Sequence, residues 1–166
     1  MSEPRSALEE TVVEAALGAR DEDKLQRLLA ARLTKLGART DLWEPAPTGA
    51  DSRFLPAGLD FVGRPQLAAI LPGAGGGRSL LLNGHIDAAD VAPREQWLSD
   101  PFTVEERDGS LYGRGVCDMK GGVACLVVAL ETLSRLGVRL AGDVVFCTVT
   151  DEESSGPAAA GPWNTA

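Results

Sequence analysis

Ser79-Leu80-Leu81-Leu82-Asn83-Gly84-His85-Ile86-Asp87 is the stretch on which the reading of the fold turns. Its first half is a short apolar run, the pattern of a strand buried on both faces. Residues 120–136 follow with an apolar, helix-like pattern, and Gly137 stands where such a helix would stop. Next comes Val144-Val145-Phe146-Cys147-Thr148-Val149, a β-rich run that reads as a central strand. Strand, crossover helix and strand in that order predict an α/β fold with a parallel or mixed sheet.

Outward from this core the signals are local. Residues 103–107 and 110–112 flank Asp108-Gly109, a dipeptide suited to a hairpin turn. Leu25, Leu28, Leu29, Leu33 and Leu36 recur at helical spacing, and this leucine stripe reads as a core-facing surface. Asp21, Glu22 and Asp23 stand before them, where negative charge suits a helix N-terminus, and Gly37 is a plausible stop. Residues 7–17 are rich in helix formers. Residues 45–77 hold five prolines and seven glycines, which forbid a long helix. Loops around short strands are expected there, with residues 66–71 the best strand candidate. The run Gly73-Ala74-Gly75-Gly76-Gly77 lacks the Lys-Ser/Thr pair of a phosphate loop and reads as a surface turn. Residues 154–166 show no helical period and are expected to fray.

Composition excludes several classes. The 166 residues carry 24 acidic and 16 basic side chains, a net charge of −8 that disfavours nucleic acid and anionic membranes as partners. A hydrophobic fraction of 44% supports a folded core and argues against disorder. No apolar run reaches the roughly 18 residues of a membrane span. Met1-Ser2-Glu3-Pro4 lacks the basic-then-apolar pattern of a secretory signal. Three scattered cysteines, Cys117, Cys125 and Cys147, are too few for a disulfide framework, so a cytoplasmic location is expected. His85 is the sole histidine, which rules out any mechanism needing two from one chain.

Three polar clusters follow the predicted strands or loops. In Gly84-His85-Ile86-Asp87, residues two apart share a face of an extended chain, so Asp87 can orient His85 or join it as a ligand. Alone, the pair is a weak signal and reads better as a structural histidine. In Gly113-Arg114-Gly115-Val116-Cys117-Asp118-Met119-Lys120-Gly121-Gly122, the carboxylate of Asp118 suits either a bridge between cations or a helix N-cap. Thr150-Asp151-Glu152-Glu153 ends the 144–149 strand, the end at which open α/β sheets bind ligands. Consecutive acids there fit a cation site or a solvated turn.

Taken with Trp97-x-x-Asp100-Pro101-Phe102 and Leu111-Tyr112 before the glycine-rich cluster, these motifs resemble, in order and rough spacing, the dinuclear zinc amidohydrolases. That family includes acetylornithine deacetylase, succinyl-diaminopimelate desuccinylase, aminoacylase and the glutamate carboxypeptidases. The resemblance covers residues 60–156. It implies the N-terminal part of a zinc-peptidase catalytic domain, α/β, with a mixed, largely parallel sheet flanked by helices and left incomplete. Residues 1–153 then form a partial metallohydrolase domain: a helical start over 6–37, the Gly/Pro-rich stretch 45–77 and a motif-bearing core over 79–153.

By the same resemblance His85, Asp118 and Glu153 ligate metal, with Asp118 bridging two zinc ions. Asp87 holds the His85 ring, and Glu152 is the general base of an amide hydrolysis by metal-activated water. Cobalt or manganese are alternatives to zinc. The implied substrate is an N-acyl amino acid or small peptide, and a cis peptide is expected at Asp118-Met119. Trp97 and Phe102 are expected to pack near the site, and Cys117 and Cys125 to be small buried residues. The family's further ligands come later in the chain, an acid and a second histidine, whereas the 13 residues after Glu153 contain no Asp, Glu or His. The family's lid or dimerisation domain is missing as well. The alternative reading is therefore a truncated, non-catalytic fragment or binding module. On it the chain is inactive alone, or works with a complementing chain in an assembly of unknown order. Without later strands, the 144–149 strand is expected to lack a neighbour.

Overall fold

Four strands and two helices carry the fold of the computed structural model, which describes Glu10 and residues 21–45 and 61–153. Helix α1 is Glu22–Lys35, followed by strands β1 (Arg39–Trp43), β2 (Gln66–Leu71) and β3 (Leu80–His85). A small hairpin, β4 (Glu105–Arg107) and β5 (Ser110–Tyr112), precedes helix α2 (Gly121–Arg135) and strand β6 (Val144–Val149). The helical candidate over 7–17 and the tail 154–166 lie outside the described residues, Glu10 excepted.

The helix ends follow their sequence signals. Asp21 caps α1, its carboxylate accepting the Lys24 N–H at 2.9 Å, with Glu22 and Asp23 in the first turn. Gly37, at φ +90°, ends the helix in the left-handed conformation that glycine adopts without a Cβ clash. Removing this cap has a defined cost. Asp21→Ala is expected to lower unfolding stability by about 1 kcal/mol, read as a lower urea midpoint at unchanged slope; an unchanged midpoint would show that the cap contributes nothing.

The main sheet has the order β1-β2-β6-β3. The β3–β6 pair is parallel, joined through α2, as the strand–helix–strand pattern requires. The β1–β2 and β2–β6 pairs are antiparallel. The sheet is thus mixed, as expected, but only one of its three pairings is parallel. The reason is that β2 and β3 run in opposite directions through the turn at 72–79, and β6 inserts between them.

Two further expectations are corrected. Strand β6 does not lack a neighbour; it is central and paired on both sides. Strand β3 is not buried on both faces, since Leu80 and Leu81 are 54% and 58% exposed. Among the described residues β3 is an edge strand, so only its last residues, Gly84 and His85, are enclosed.

One face of the sheet carries the core. Leu25, Leu29 and Leu33 of α1 and Val123, Val127 and Leu130 of α2 pack with Leu67, Ala69, Val144 and Phe146. The two helices are joined by a bidentate pair, Arg32 Nε and Nη2 to the two oxygens of Glu131 at 2.8 and 2.9 Å. Gln26 is buried between α1 and the sheet. Its amide donates to the carbonyls of Pro65 and Thr148 at 3.0 and 3.1 Å, and it accepts the Thr148 hydroxyl. A smaller cluster, Val116 and Ala124 with Val104 and Leu111, seats the β4–β5 hairpin, whose turn is Asp108-Gly109 with both residues at positive φ. The run at 73–77 is an exposed turn, with Gly73 N–H held by the Asp143 carboxylate at 2.7 Å. Among the described residues, no helix is long and apolar enough to cross a membrane.

Candidate metal centre

Parallel pairing places the acids beside the histidine. In the β3–β6 ladder His85 lies opposite Val149, and the Ile86 N–H continues the ladder to the Val149 carbonyl at 2.9 Å. The segments that leave the two strands, 86–87 and 150–153, therefore emerge side by side at the carboxyl ends, where a crossover helix also begins. The third segment, Val116–Lys120, is an irregular turn leading into α2. It lies directly on β3 because Gly84 has no side chain. A Cβ there would meet Val123 and Met119 side-chain atoms at 3.0 and 3.2 Å. The peptide Asp118-Met119 is cis, as the resemblance implies.

Three side chains converge. One ligand atom from each of His85, Asp118 and Glu153 lies within 4.8 Å of the other two. His85 is buried and presents Nε2 to Asp118 Oδ1 at 3.0 Å. Asp118 is 76% exposed on its side chain, so its carboxylate stands at the mouth of the site. It is not an N-cap: the residue that caps α2 is Lys120, with no side-chain cap bond, which resolves one of the two readings open for Asp118. Glu152 reaches the same imidazole nitrogen at 3.9 Å from the solvent side.

Asp87 sits on the inner side of His85. Its Oδ1 faces Nδ1 at 3.4 Å without reaching hydrogen-bond geometry, so both atoms are buried without a hydrogen-bond partner. Its Oδ2 accepts the Glu153 N–H at 3.0 Å. One carboxylate thus faces the histidine ring and fixes the backbone of a second candidate ligand. A further pair holds the acidic turn to β2: Gln66 accepts the Thr150 N–H at 3.1 Å and donates to the Thr150 hydroxyl.

The donor set fits a divalent cation. One imidazole and several carboxylates suit zinc and tolerate cobalt or manganese. Asp118, Glu152 and Glu153 concentrate negative charge around one imidazole nitrogen, and a cation is the natural counter-charge. A buried Nδ1 facing a carboxylate is the outer arrangement usual for a metal-binding histidine whose other nitrogen is the ligand.

The sequence reading missed two basic groups beneath the site. Lys120 is fully buried, and burial pushes its ammonium below the usual lysine range, opposed by Asp87, Glu22 and Glu153. Arg64 is paired with Glu22 at 2.7 Å. Burial works against its charge, but Glu22, Asp151 and Asp87 more than offset it and hold the guanidinium above its usual range. The only signal for Lys120 was the pattern of small residues around it, which leaves room for a long side chain.

Trp97 and Phe102 are half-buried. Trp97 donates to the Val91 carbonyl at 3.1 Å and lies under the Arg114 guanidinium, 5.1 Å from the ring centroid. Cys117 and Cys125 correct an expectation. Both are exposed, because they lie on the turn and on α2 at positions outside the core. Cys147, on central β6, is the buried thiol, and burial pushes it up to about 11.

The model of "Peptidase family M20/M25/M40" matches residues 81–164, the span that carries His85, Asp87, Asp118, Lys120, Glu152 and Glu153. The chain belongs to this family. It is 40% identical over 141 residues to a succinyl-diaminopimelate desuccinylase of Leptothrix cholodnii, covering 85% of this chain and 33% of that protein. It is 36% identical over 137 residues to an N-formyl-4-amino-5-aminomethyl-2-methylpyrimidine deformylase of Halalkalibacterium halodurans, covering 81% and 29%. Human carnosine dipeptidase 1 superposes with a TM-score of 0.74 at 26% identity, over 91% of this chain and 33% of that one. An M20 metallo-carboxypeptidase of Sulfolobus solfataricus shares the fold, with a TM-score of 0.68 at 20% identity. The chain spans about a third of the length of these relatives.

Proposed function

We propose that this chain carries the metal-binding front of an M20 hydrolase that cleaves the amide bond of an N-acyl amino acid or small peptide. The observation that supports it best is the convergence of His85, Asp118 and Glu153 on one point, with Glu152 beside them. A bound zinc ion would supply Lewis acidity, polarising an amide carbonyl and acidifying water. His85, Asp118 and Glu153 hold the ion, and Asp87 keeps the His85 ring and the Glu153 backbone in place. Glu152, exposed and 3.9 Å from His85 Nε2, would take a proton from the attacking water and return it to the leaving amine. The three free thiols suit a reducing compartment such as the cytoplasm.

A second reading is a metal-binding module without turnover. It is favoured by the donor count, since the described residues bring three ligand groups to one point, enough for one ion rather than a bridged pair.

The test is zinc equilibrium dialysis of the full chain with elemental analysis, followed by an amine-release assay on N-succinyl and N-formyl substrates. At least one zinc per chain is expected, and a chain that stays metal-free refutes both readings. Amine release that disappears in Glu152→Gln, with zinc retained, establishes the hydrolase. Zinc binding with no release selects the binding module.

A further inference from the structure

Lys120 is the least expected residue in this structure. A lysine is almost never fully buried without a partner, yet its relative exposure is zero. Its Nζ lies 3.4 Å from the backbone carbonyl of Asp87, and its own backbone N–H donates to the Gly115 carbonyl at 2.9 Å. The slot that holds the ammonium exists because residue 115 is glycine. At φ +76° a side chain is disfavoured there, and a Cβ would lie 2.7 Å from Nζ. The residue therefore joins two segments that bear separate parts of the site. One is the turn carrying Asp118, two residues before it; the other is the segment carrying His85 and Asp87. The negative groups that act on its charge are Asp87, Glu22 and Glu153.

We propose that Lys120 is a positioning residue of the metal centre. Its sealed ammonium clamps the Asp87 carbonyl and fixes the separation at which His85, Asp118 and Glu153 meet. It touches neither substrate nor metal. It acts through Asp87, whose carboxylate faces His85 Nδ1 and holds the Glu153 N–H. A neutral side chain in the same slot removes the ammonium from the Asp87 carbonyl, and the segment relaxes away from the Asp118 turn. This inference rests on the metal-centre reading above, but one arm of its test does not need metal.

The test uses the full chain with ring-labelled 15N histidine. His85 is the sole histidine, so its two nitrogens give the only imidazole signals. Lys120→Met keeps the bulk of the stem and removes the charge. At about pH 8, above the ordinary histidine range, the Nδ1 signal of the metal-free variant is expected to move by more than its linewidth. Zinc affinity, by competition with a chromophoric chelator, is expected to fall about 10- to 100-fold, with the circular dichroism of the wild type. A folded variant with an unmoved signal and zinc affinity within about twofold overturns the proposal. Should Lys120→Met fail to fold, Lys120→Gln is judged by the same criteria. If neither folds, Lys120 serves the core alone and the proposal falls. A wild type that binds no zinc sinks the metal reading, while the 15N comparison still decides the role of Lys120.

Discussion

Asp118→Ala is expected to lower the zinc affinity of the chain by at least about a hundredfold and to leave its unfolding free energy within about 1 kcal/mol of wild type. The two halves of this result have separate causes. Asp118 stands mostly in solvent, and its side chain meets His85 Nε2 at 3.0 Å. A pair made by so exposed a carboxylate contributes about 0.2–1 kcal/mol, so the fold barely registers the loss. The metal centre loses one of three converging donors, and even groups that only support a ligand are typically worth 10- to 100-fold in affinity. Chelator competition and urea denaturation on the same sample measure both quantities. An affinity within about threefold of wild type would remove Asp118 from the ligand set. A large loss of stability would mean that the residue is structural after all.

Phe146→Ala is expected to behave in the opposite way, costing about 3–5 kcal/mol of stability. Phe146 is fully buried on central β6, between Ala69 of β2 and Leu82 of β3 in register, and belongs to the cluster that both helices cover. Truncation removes the ring and leaves a cavity that a close-packed neighbourhood fills poorly. Against a total of about 5–15 kcal/mol for an ordinary domain, this is a large share. The urea midpoint drops sharply at unchanged slope. Saturating zinc then raises the midpoints of wild type and variant alike, because binding adds the same linkage term to any chain whose site is intact. A cost below about 1 kcal/mol would show that the β6 face is loosely packed.

What the sequence made legible follows from locality. The 144–149 strand, the helix over 120–136 and the Asp108-Gly109 turn are written in contiguous patterns, and each is found where the pattern lies. The convergence of the candidate site was legible for a related reason. His85 and the acids of 151–153 end strands that pair in parallel, so adjacency follows once topology is assumed. Features set by distant neighbours were not legible. Leu80 and Leu81 read as doubly buried, yet their strand is an edge among the described residues, which no local pattern reveals. Strand β1, Arg39-Thr40-Asp41-Leu42-Trp43, went unread because it is an exposed edge without clear alternation. Lys120 read as an ordinary first residue of a helix, and its burial depends on a glycine five positions earlier and on a carbonyl from another segment.

The placement of β6 also bears on how the chain is made. Synthesis runs from the N-terminus, and the strand inside the sheet is the last of the six described strands to be produced. Until residue 149 has emerged, β2 and β3 are separated by a gap one strand wide, and Gln26 has no Thr148 to bind. The nascent chain therefore holds two unpaired strand edges and the leucines of α1 in search of cover, a state prone to association. The most sequence-distant pairings carry the closing step, so ordering is late and abrupt rather than gradual along the chain. A ribosome stalled before this point displays an adhesive intermediate, and one stalled after β6 is free displays the gap between β2 and β3 filled.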